Sequence, residues 1–135
     1  MNRKLVLWLA ALGPVMGALI VAGVFPKGVD RFAWMGVNIV CAVSIARARV
    51  DNPFWHGAVA GFLIGALATL VQGVFTEAYV AHNPWVLETF SRRSEDFDLQ
   101  YFIMMLVPFI GLAGAFITGL LSYLADKAMR PKEEG

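Results

Sequence analysis

Charge is the scarcest commodity in this chain. Only 16% of its 135 residues are Asp, Glu, Lys or Arg, where soluble domains carry roughly 25%. With 59% hydrophobic residues and a mean hydropathy of +0.65, too little polar surface remains to cover a soluble globule. Cysteine is almost missing, and the lone Cys41 excludes an intrachain disulfide and any cysteine-based metal site. Histidine is limited to His56 and His82, which fall at opposite ends of one apolar run and cannot share a metal or a haem. No Gly-rich phosphate loop and no nucleophile beside a base can be assembled. An enzyme is therefore disfavoured, and no cofactor is implied. The net charge of +1 gives no footing for nucleic acid.

What the chain does have is uncharged apolar runs between short charged clusters, the pattern of a polytopic membrane protein. Four runs count: residues 5–25, 32–46, 53–80 and 101–124. The second is short and reaches span length only if Arg47 and Arg49 snorkel to the headgroups. The third would rise about 42 Å as one helix and must tilt or protrude. Arg3 and Lys4 before the first run fit the opening of a leader, but the run is long for one and no small-residue cleavage site follows, so it is read as a retained span. The expectation is an all-α membrane protein of four transmembrane helices plus a short outer interfacial helix, one domain over residues 1–135.

Loop chemistry supports these boundaries. Asp30 is placed to cap the second helix, and Asn52 with Pro53 opens the third. Asn83 with Pro84 opens the short outer helix, with Trp85, Val86, Leu87 and Phe90 toward the interface. Ser94 is expected to cap the fourth helix, which Pro131 ends. Lys and Arg weigh toward the side of Arg3, Lys4, Arg47, Arg49, Lys127, Arg130 and Lys132, which puts both termini in the cytoplasm of a bacterial inner membrane.

Glycine recurs in register within the apolar runs. Gly57, Gly61, Gly65 and Gly73 stand at steps of four or eight in the third. Gly13 and Gly17 in the first, and Gly111, Ala115 and Gly119 in the fourth, are shorter relatives. In lipid, small residues let helix backbones approach closely. A four-residue step overshoots the helical period by about 40°, so the stripe winds round the third helix. That helix is expected to be central and to touch at least two partners, within the chain or in another copy.

Polar residues inside spans are functional candidates by default. Asn38 and Gln72 fall at similar depth, where they can bond to each other or serve a solute. Glu77 lies near the outer end of the third span, either at the headgroups or as a buried coupling carboxylate. Pro108 frees a backbone carbonyl at Met104, which makes the outer third the place to look for a cavity. Thr118 and Ser122 are expected to bond back to their own helix, and Arg47 and Arg49 to hold anionic lipid.

The run "FWHGAVAGFLIGALATLVQGVFTEAYVAHNPWVLETF" resembles the third span and following loop of small bacterial membrane proteins filed under a domain of unknown function. The resemblance implies a four-span chain with a Gly-rich third helix and an Asn/Asp-Pro start to an outer amphipathic segment. It implies no activity. The small multidrug exporters are similar in size but need a glutamate in the first span, which this chain lacks. Two roles follow as expectations. The first is a non-enzymatic protein acting through helix packing, as a homo-oligomer or an accessory subunit of a larger membrane complex in the lipid bilayer. The alternative is a small channel or transporter using Asn38, Gln72 and Glu77.

Overall fold

The computed structural model of the chain describes residues 1–90 and 98–131. Among them there is no strand. The helices are α1 (Arg3–Ala10), α2 (Leu12–Val21), α3 (Asp30–Arg47), α4 (Pro53–Val74), α5 (Thr76–His82), α6 (Trp85–Phe90) and α7 (Leu99–Met129). Three stretches are long and apolar enough to cross a membrane: Arg3–Val21, α4 and α7. The 18-residue α3 carries Asp30, Arg31 and Arg47 and is not among them.

Two of the expected long helices are interrupted. The first run breaks at Ala11, because Pro14 has no N–H for the Ala10 carbonyl and its ring crowds that oxygen. The third run stops at Val74 instead of reaching Val80: Phe75 leaves the helical conformation (φ −105, ψ 38) before α5 begins. The Gly73 carbonyl freed there accepts from Thr76 Oγ1 at 2.8 Å and from Gln100 Nε2 at 3.0 Å.

Helix starts also differ in detail. Asn52 caps α4 as expected, its Oδ1 accepting the Trp55 N–H at 3.0 Å, with Pro53 in the first turn. Asp30 is the first residue of α3 rather than its cap. Asp98 caps α7 through the Tyr101 N–H at 3.2 Å, while Ser94 lies outside the described residues. Asn83 turns its side chain away from α6. Its amide donates to the carbonyls of Ile20 and Tyr79, both at 2.9 Å, and pins α5 to the end of α2.

The helices pack around α4, which contacts α1, α2, α3 and α7. Gly57, Gly61, Gly65 and Gly73 meet α7 at Ser122, Gly114, Ile110 and Met104 in turn, so α4 and α7 are antiparallel. Gly13 and Gly17 of α2 meet Ile64 and Ala68, so α2 and α4 run the same way. Because α3 lies along α7 with Asn38 against Thr118 and Ala46 near Asp126, α3 runs with α7. An apolar core joins Val6 and Leu9 of α1, Cys41 and Ile45 of α3, and Ala60 and Ile64 of α4. At the amino-terminal end, His56 Nε2 accepts the Asn2 N–H at 2.9 Å. That leaves Nδ1–H to donate to the Asn52 carbonyl at 2.8 Å, and the chain start is tied to the first turn of α4.

Candidate functional site

The glycine positions define how close the backbones come. A Cβ on Gly61 would collide with the Gly114 carbonyl and lie 2.6 Å from Thr118 Oγ1; one on Gly65 would lie 2.8 Å from the Ile110 carbonyl. On the other side, Gly13 and Gly17 admit the carbonyls of Ile64 and Ala68 at 2.7 and 2.8 Å from such a Cβ. In α7, Gly111 lies against Phe62 and Gly119 against Phe54. The partner of Gly61 is Gly114, a residue outside the expected series of Gly111, Ala115 and Gly119, and Ala115 beside it is half-buried. A three-residue step from Gly111 falls about 60° short of a full turn where a four-residue step overshoots by about 40°, so both positions stay near the face of Gly111 and spacing alone does not choose between them.

Beside this contact lies a polar pair. Thr118 Oγ1 donates to Asn38 Oδ1 at 2.6 Å, and Asn38 Nδ2 donates to the Trp34 carbonyl at 2.9 Å. Asn38 therefore bridges α3 to α7 and makes no bond to Gln72. Thr118 bonds across helices instead of back to its own helix, whereas Thr69 Oγ1 does bond back, to the Gly65 carbonyl at 2.8 Å. Ser122 Oγ is buried and has no hydrogen-bond partner among the described residues. Gly57 faces it directly.

Gln72 lies elsewhere. It lines a cavity of about 220 Å³ at the end of the bundle opposite the amino terminus, together with Asp30, Trp34, Thr69 and Tyr79. Apolar side chains, Val86 and Ile103 among them, close the remaining walls. Burial, and secondly the charge of Asp30, pushes the Tyr79 phenol above its ordinary value. Glu77 is exposed and borders a separate, open depression with Asp98 and Gln100. Pro108 is exposed on α7. This cavity thus takes Gln72 alone from the expected group, and adds Tyr79 and Asp30, the latter expected as a helix cap. Among the described residues no three His, Cys, Asp or Glu side chains gather as metal ligands. No family model, no curated protein and no solved structure matches the chain.

Proposed function

We propose that this chain is a four-span membrane protein, both termini cytoplasmic, that acts through helix–helix contact. Its role is that of a self-assembling bundle or an accessory subunit of a larger membrane complex. The observation that carries this reading is how the middle layer uses its polar groups: Asn38 and Thr118 bond to each other across α3 and α7. A solute path needs such groups turned to open space. Interhelical bonds of this kind are ordinary adhesive, worth about 0.6–2 kcal/mol each. The glycines of α4 are taken up within the chain. A second chain would therefore meet the wide apolar flank of α7, of whose most apolar stretch only 22% is buried.

The direction of the helices supports four crossings. α2 and α4 run the same way, so a chain crossing with both must return between them, and α3 is the helix that lies there. At about 27 Å it spans if Arg31 and Arg47 reach the headgroups. The exposed Leu87 and Glu88 of α6 suit an interfacial helix, although Val86 is turned inward.

The test is native mass spectrometry after gentle extraction. A reproducible assembly larger than one chain is expected, and a single unaccompanied chain would count against the reading. Transport is the second reading, favoured by the cavity at Gln72. Liposomes containing wild type and Glu77→Gln or Gln72→Leu variants at equal density, with a pH-sensitive dye, are expected to show equal flux. A flux lost in either variant would favour transport instead.

A further inference from the structure

We propose that the amino-terminal end of the bundle holds a binding site for the phosphate of an anionic phospholipid. A cavity of about 540 Å³ opens there between the ends of α3 and α7, lined by Arg47, Arg49 and Arg130 together with Asp51 and Asp126. The three guanidiniums come from the last residue of α3, the turn after it and the residue that ends α7. Arg130 Nε donates to Asp126 Oδ2 at 2.7 Å, with the side chains 62% and 10% exposed. The buried carboxylate holds the guanidinium in place, and one carboxylate engages at most two of its five N–H donors. Arg47 and Arg49 form no ion pair among the described residues. Asp51 opposes them with one charge, and the lining stays net positive.

Arg49 carries the second part of the case. It sits at φ 48, the one non-glycine residue with positive φ among those described. It follows the end of α3, where glycine takes this conformation without steric cost. An arginine there gives up backbone stability, and what the position retains in exchange is a cationic residue in the cavity wall. Arginine presents a planar fork that matches phosphate oxygens. Basic pockets between spanning helices at a membrane face are sites for phospholipid headgroups. A lipid fits better than a soluble anion because Val50 and Met129 line the same cavity. This site depends on membrane residence and is independent of the assembly reading.

The test uses the full chain in mild detergent, offered phosphatidylglycerol or phosphatidylcholine in equal amounts. Retained lipid is counted by native mass spectrometry and the unfolding midpoint is recorded. Phosphatidylglycerol should be retained on the order of tenfold more, and Arg47→Gln with Arg49→Gln should abolish the preference, at about fivefold per arginine. Arg49→Gly separates ligand from fold: it should raise the lipid-free midpoint while lowering phosphatidylglycerol retention about fivefold. Equal retention of the two lipids by wild type, or a preference that survives in the double variant, would overturn the site. Displacement by glycerol phosphate at concentrations equal to the lipid would assign the cavity to a soluble anion and overturn the lipid.

Discussion

At the scale of single residues, the decisive feature is how little room some glycines have. Alanine at Gly61 would drive a methyl group into the Gly114 carbonyl, and overpacking of that kind costs typically about 1–3 kcal/mol. Gly36 in α3 has nothing within 4 Å of an added Cβ, so Gly36→Ala should be neutral or gain up to about 1 kcal/mol from helix propensity. Detergent unfolding of the two variants measures the difference, and equal midpoints would remove the close contact. Sequence spacing makes the α4 stripe legible because glycine in an apolar helix has few other uses. It leaves Gly114 hidden behind Ala115, and offers Asn38 Gln72 as a partner instead of Thr118, because a hydroxyl such as Thr118 is as content with its own helix as with a neighbour. Tyr79 adds a pH signature. Its phenol is pushed up by burial and then by Asp30, so the folded state holds that proton more tightly than the unfolded chain. Its contribution to stability is intact below the unfolded pKa of about 10 and is lost as pH rises through the folded value. Tyr79→Phe should flatten the alkaline fall in the unfolding midpoint, and an unchanged slope would mean that Tyr79 is not the group responsible.

At the scale of elements, breaks matter more than lengths. The start of α4 was legible because Asn52 and Pro53 act locally, through a cap and a preset φ. Its end at Val74 was not, because no proline or charge marks it. What stabilises the bend is tertiary: Gln100 reaches the Gly73 carbonyl from α7, and Asn83 holds the next turn against Ile20. A local reading gives Asn83 to the start of α6, since nothing in its neighbourhood reveals a carbonyl 63 positions earlier. Asn83→Ala should leave the Ile20 and Tyr79 carbonyls without this donor, at a cost of about 1–3 kcal/mol. The loss should fall on one segment: amide hydrogen exchange over residues 76–90 should accelerate roughly 5- to 150-fold, at about 1.4 kcal/mol per tenfold. Residues 58–68 should keep their protection. Exchange unchanged in the first segment would show that α5 is held by something other than this amide.

At the scale of the whole molecule, the question is whether α3 crosses. Composition does not decide it, since α3 carries three charges in 18 residues and its hydrophobic stretch is shorter than a bilayer core of about 30 Å asks for. Packing supports the crossing proposed above. The contacts of Gly13 and Gly17 with Ile64 and Ala68 orient α2 and α4 alike, and two crossings in one direction need a third between them. The bond from Asn38 to Thr118 makes that return energetically reasonable, because the one amide of the segment is satisfied by a neighbouring helix rather than left in hydrocarbon. If α3 crosses, Lys27 and Asp51, both exposed, lie on opposite sides of the membrane. Single cysteines at these two positions, with the buried Cys41 replaced by alanine, can be labelled in intact cells by a maleimide that does not cross the membrane. Lys27→Cys should react from outside, and Asp51→Cys should react only after the cells are opened. Labelling of both before opening would place α3 on the outer surface and leave α2 and α4 unable to cross in parallel, so the packing of Gly13 on Ile64 would fall with it.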